Sequence, residues 1–123
     1  MISIDEVGEM LDIIAEELPH EFFEDLNGGI ALLPDAKLHP ESISGDLYTL
    51  GEYRNELALG RYIVIFYGSF ARIYGSLPRE AFMQKLRETL FHEFTHHIES
   101  LAGERGLEIK DDMFMEKYRR GES

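Results

Sequence analysis

Cysteine is absent from the 123 residues. No disulfide can staple this fold, and any metal it holds must take its ligands from His, Asp or Glu. Basic residues are scarce: 12 Lys and Arg stand against 24 Asp and Glu, a formal net charge of −12. Proteins that bind DNA or RNA electrostatically present a basic surface, so this balance argues against a nucleic-acid partner and against an anionic membrane surface. No run approaches the roughly 20 apolar residues of a membrane span. Met1-Ile2-Ser3-Ile4-Asp5-Glu6 lacks the basic and apolar regions of a secretory leader, which predicts a cytoplasmic protein. Repeats and low-complexity tracts are missing too.

What is present has the composition of a globular domain, 44% hydrophobic and 29% charged. The length predicts a single domain over residues 1–123. Ser3-x-x-Glu6 has the form of a capping box, and Ile4, Val7, Leu11, Ile14 and Leu18 follow at helical spacing until Pro19. Asp5, Glu9, Asp12 and Glu16 read as the solvated face of that helix, and His20 as a surface residue. Asn27-Gly28-Gly29 reads as a turn and Ile30 to Leu33 as a strand stopped by Pro34. The stretch from Pro34 to Ser44 is expected to be a loop, with His39 in it.

A second strand is expected from Gly45 to Gly51, then a turn or irregular excursion from Arg54 to Gly60. Arg61 to Tyr67 is the strongest strand signal, β-branched and aromatic without a helical period. Gly68 to Gly75 reads as a short helix or turn. Pro78 fits the first turn of a long helix running from about Arg79 to Ala102 and ended by Gly103 and Gly106. Met113 to Arg120 is expected to form a final helix. The sum is an α+β domain: a small mixed sheet of three to four strands against the N-terminal helix and the long helix.

The long helix carries Leu90-Phe91-His92-Glu93-Phe94-Thr95-His96-His97. Phe82, Leu86, Leu90, Phe94, Ile98 and Leu101 recur at spacings of three and four and form one apolar stripe. His92, His96, Lys85 and Glu99 fall on the opposite side, with Glu93 at the boundary. His92 and His96 lie one turn apart on one face, so two imidazoles can converge on one metal ion. Glu93 follows the first of them, within reach of a water on that metal. Zinc suits such ligands, lowers the pKa of its water to about 7, and leaves Glu93 to take the proton. The hydroxide so formed attacks a carbonyl carbon, typically of a peptide bond. A solvated helix carrying two histidines by chance is the plain alternative, and the amphipathic context weighs against it.

Catalytic zinc usually takes three protein ligands. Glu99 shares the histidine face but lies a turn beyond His96, which suits it to support the site from outside the ligand set or simply to be solvated. His97 points about 100° away, toward the apolar stripe, as a structural histidine or a residue that meets substrate. A chain that turns after Gly103 can return Glu104, Glu108, Asp111 or Asp112, and His39 is a more remote candidate.

Leu90 to His97, with its doubled histidine, resembles the minimal zincin-like family of small zinc metallopeptidases. Ile4 to Leu18, Gly45 to Leu50 and Arg61 to Tyr67 look like that family's acidic first helix, its Gly-x-Leu-Tyr strand and its apolar strand before the active helix. The resemblance covers nearly the whole chain. The family continues with Phe-Gly after the doubled histidine and then Ile-x-Asp, the Asp resembling the metal's third partner. Here Ile98-Glu99 stands in place of Phe-Gly, and Ile109-Lys110-Asp111 looks like the displaced Ile-x-Asp. The resemblance implies His92, His96 and Asp111 as ligands of Zn2+, with Asp112 and then Glu104 as the next choices, and Glu93 as general base.

The expected activity is zinc-dependent hydrolysis of a peptide or protein, the substrate adding as a strand to a sheet edge for which Arg61 to Tyr67 is the candidate. Two other classes fit the same residues. One is a non-catalytic module that keeps the metal as scaffold or sensor. The other is a hydrolase of small amides.

Overall fold

The computed structural model describes residues 1–104, the side chain of Glu104 excepted. The helix expected from Met113 to Arg120, together with Glu108, Asp111 and Asp112, lies outside the described residues. The first helix, α1, spans Ile4–Glu17, and a short 3-10 turn follows at His20–Phe23. Strands β1 (Gly29–Leu33), β2 (Lys37–Leu38), β3 (Tyr48–Thr49), β4 (Gly51–Glu56) and β5 (Gly60–Phe66) come next. Then come α2 (Tyr67–Tyr74) and α3 (Arg79–Glu104). None of the described helices is long and apolar enough to cross a membrane.

The capping box at the start of α1 is formed in both directions. The Glu6 amide donates to Ser3 Oγ at 3.2 Å, and the Ser3 amide donates to the Glu6 carboxylate at 3.3 Å. Such a cap satisfies amides that the first turn of a helix would otherwise leave unpaired. Val7, Met10, Leu11 and Ile14 then turn inward at helical spacing. They meet Ile63 and Ile65 of β5 and Phe82, Leu86, Leu90 and Phe94 of α3 in one core. Arg87 of α3 fastens the two helices by a two-pronged ion pair to Glu17, at 2.8 and 3.0 Å.

The main sheet runs β1-β5-β4, with β1 parallel and β4 antiparallel to β5. It is a small mixed sheet in an α+β domain. β2 and β3 form a separate two-stranded ribbon. Ile63 and Ile65 face the helices, while Tyr62, Val64 and Phe66 are buried on the other side with Leu33. A strand buried on both faces reads as a continuous apolar run and not as an alternation.

Four sequence expectations are corrected. The segment from Arg61 to Tyr67 is not a free edge: β5 is the central strand, because its backbone groups are taken up by β1 along one edge and by β4 along the other. Among the described residues the edges are β1 and β4. Gly45 to Gly51 does not form one strand either, since Tyr48 and Thr49 pair with β2 and the chain then changes sheets at Leu50. The loop from Pro34 to Ser44 therefore contains a strand, and the stretch from Arg54 is ordered pairing as far as Glu56. Its polar sequence, Glu52-Tyr53-Arg54-Asn55-Glu56, masked the pairing: an edge strand needs an apolar residue only where it touches the core. The hairpin closes at Gly60, whose φ of +71° is the left-handed conformation glycine tolerates.

Candidate metal centre

Helix α3 passes beside β4 at close range. A Cβ on Gly51 would stand 3.1 Å from Cγ2 of Thr89 and 3.2 Å from Cδ1 of Ile65, so a side chain here would crowd the helix unless its neighbours gave way. The gap further along is an open groove walled by Gly51, Glu52 and Tyr53 on one side and by His92, Glu93, His96 and Glu99 on the other. It continues past Leu50 toward Lys37, His39 and Tyr48, with Glu88 and Thr89 on the helix side.

His92 and His96 are exposed at the mouth of this groove. Their Nε2 atoms are 3.1 Å apart and their rings stand nearly perpendicular, at 86°. A tetrahedral metal held at roughly 2.0–2.1 Å by each imidazole would separate the two nitrogens by about 3.3 Å. The observed separation is close to that value. Among the described residues no group of three His, Cys, Asp or Glu side chains gathers round one point. His39 lines the neighbouring part of the groove without joining the pair, and its Nδ1 accepts a hydrogen bond from the Glu41 amide at 3.1 Å. His20 is exposed on the 3-10 turn. Asp111 and Asp112 lie outside the described residues, and so does the Glu104 side chain.

Glu93, expected at the boundary of the apolar stripe, is only 6% exposed. Burial pushes its carboxyl above the usual carboxylate range. The charge of His96 opposes this and that of Glu52 adds to it. A carboxylate raised in this way is a stronger proton acceptor than an exposed one. Glu52 behaves in the opposite manner. Partial burial works to raise its carboxyl, but hydrogen bonds from Lys37 and Arg54 prevail and hold it below the usual range. Glu99 stands exposed beyond His96, beside Ser100.

His97 is fully buried. Its Nε2 lies 2.8 Å from the Glu24 carbonyl and its Nδ1 lies 2.8 Å from the Tyr53 hydroxyl. Tyr53 escaped the sequence reading. The alternation of Gly51 and Tyr53 with Glu52 and Arg54 was the signal that could have found it, since one face of an edge strand carries every second residue.

The hydrogen-bond phase of β4 decides which backbone groups it offers. The Phe66 amide donates to the Leu50 carbonyl at 3.0 Å. In an antiparallel pair the bonded residues alternate, so Glu52, Arg54 and Glu56 bond to β5. The N–H and C=O of Gly51 and Tyr53 point the other way, to the outer edge of the sheet.

No family model matches this chain, and no curated protein does. Among solved structures, it is similar to a conserved hypothetical protein from Thermo thermophilus, at 32% sequence identity and a TM-score of 0.71. The match covers 83% of this chain and 99% of the other.

Proposed function

We propose that this chain, which belongs to the same family as the conserved hypothetical protein from Thermo thermophilus, is a zinc-dependent metallopeptidase. The observation that carries this reading is the 3.1 Å approach of the His92 and His96 Nε2 atoms beside a buried glutamate, at the mouth of a groove bounded by a sheet edge. His92 and His96 would hold the metal, with Asp111 as the third ligand and Asp112 or Glu104 as substitutes. When bound, zinc supplies Lewis acidity, polarising a substrate carbonyl and acidifying water.

The rest of the chemistry belongs to the chain. Glu93 accepts a proton from the attacking water and passes it to the departing amine. Its burial removes competing solvent and raises its basicity. An extended peptide pairs with the outward groups of Gly51 and Tyr53, adding a strand to β4 and laying its backbone along the groove. Recognition through backbone bonds favours peptides over small amides, which have too few such groups to pair.

Zinc content and cleavage of a peptide library, measured on the parent and on Glu93→Gln, test this reading. The expected result is about one zinc per chain in both proteins, with hydrolysis by Glu93→Gln lower by at least about 10²–10⁴. Equal rates would exclude Glu93 as the base. Zinc without turnover in the parent would favour a non-catalytic metal-binding module, and turnover confined to small amides would favour the amide hydrolase.

A further inference from the structure

Thr89, Glu93 and His97 are spaced four apart, so they lie on one face of α3, and all three meet β4 or its groove. Thr89 abuts Gly51 one turn before Glu93. His97 binds the Tyr53 hydroxyl one turn after it. The base thus sits between two fastenings of helix to edge strand. They engage Gly51 and Tyr53, whose backbone groups also face outward.

The second fastening has a defined polarity. A carbonyl only accepts, so His97 Nε2 carries the proton that it donates to Glu24. In the neutral ring Nδ1 is then the acceptor, and the Tyr53 hydroxyl donates to it. Neither contact touches the metal-binding face, because His97 is fully buried while His92 and His96 are exposed.

We propose that Tyr53 and His97 are positioning residues: their hydrogen bond, anchored at the Glu24 carbonyl, holds β4 in one orientation against Glu93 and so selects which carbonyl of a β4-bound peptide is cleaved. The role of these two residues in cleavage rests on the peptidase reading above; their hold on the strand does not. Misplacement of a reacting group by about 1 Å can cost on the order of 10²-fold in rate, so an orientation set by one hydrogen bond has a measurable consequence.

The test uses Tyr53→Phe, which removes the hydroxyl and keeps the ring. Residual dipolar couplings of amides in β4 and α3 are compared with those of the metal-free parent, and the cleaved bond in a long peptide is located by mass. Loss of the parent's single relative orientation is expected. So are cleavage at several neighbouring bonds and a kcat lower by about 10²-fold with KM nearly unchanged. A variant that melts earlier but keeps the parent's couplings and cuts at the same bond overturns the proposal, because the contact is then only structural. A parent that cleaves no peptide defeats the peptidase reading instead, and the couplings alone then judge the hold on β4. His97→Gln, which keeps a donor toward Glu24, carries the same test should Tyr53→Phe not fold. In the parent itself, ring nitrogen shifts must show Nε2 of His97 protonated; a ring that averages between tautomers overturns the proposal without any variant.

Discussion

Glu52 and Glu93 line one groove, and their carboxyl groups are driven in opposite directions. Lys37 and Arg54 keep Glu52 ionised, and that charge helps raise the carboxyl of Glu93. The groove therefore holds one carboxylate fixed as an anion and another readied to take a proton.

The first consequence is a pH dependence of stability. The folded-state pKa of Glu52 lies below its ordinary value of 4.5. A depressed carboxyl contributes stability above its unfolded pKa and loses it as pH falls through the folded value. Relative to Glu52→Gln, the parent should be more stable at pH 7 by up to about 1 kcal/mol, since the pair is part-exposed. That advantage should vanish on acidification below 4.5. Urea unfolding of both proteins across the acid range checks this.

Zinc is expected to depend on both groove histidines. His92→Ala and His96→Ala should each strip most of the metal while leaving far-UV circular dichroism unchanged, because both side chains are exposed. Added zinc should raise the melting temperature of the parent, by mass action on the folded state, and not that of either variant. Elemental analysis and thermal scans decide; undiminished zinc in both variants excludes the site.

The third carboxylate is expected to be Asp111. Asp111→Asn should weaken zinc binding by on the order of 10–100-fold or more, the range seen even for groups that only support ligands. Glu99→Gln should change it less. Competition titrations with a chelator rank the two, and the opposite order would move the ligand to the helix.

Gly51→Ala should push β4 away from α3. The added methyl meets Thr89 and Ile65 at 3.1 and 3.2 Å, tighter than ordinary contact. Overpacking of this kind costs about 1–3 kcal/mol. Pairing Gly51→Ala with Thr89→Ser, which clears the nearest methyl, should recover part of it. Denaturant midpoints of the single and double variants provide the measure.

Periodicity made the helices legible. The stripe from Phe82 to Phe94 and the capping box at Ser3 are local patterns, and local patterns survive in a sequence read by itself. The same arithmetic placed His92 and His96 on one face and turned His97 inward. Strand pairing was harder, because β4 is polar and its partner is chosen by the whole sheet. An apolar run such as Ile63-Val64-Ile65 declares burial without saying whether it is central or marginal. Tyr53 was harder still: the alternation around it could have placed it on the inner face of a strand, but its partner is 44 residues away and no local pattern names it.

The two walls of the groove come from distant parts of the chain, with all of β5 and α2 between β4 and α3. On the ribosome, β4 emerges well before the histidines, so the groove has only one wall until α3 follows. On the peptidase reading proposed above, hydrolytic capacity would be withheld until the helix had emerged and closed against the strand. A half-made chain, whose extended segments would be its own nearest substrates, would have no tool with which to cut them.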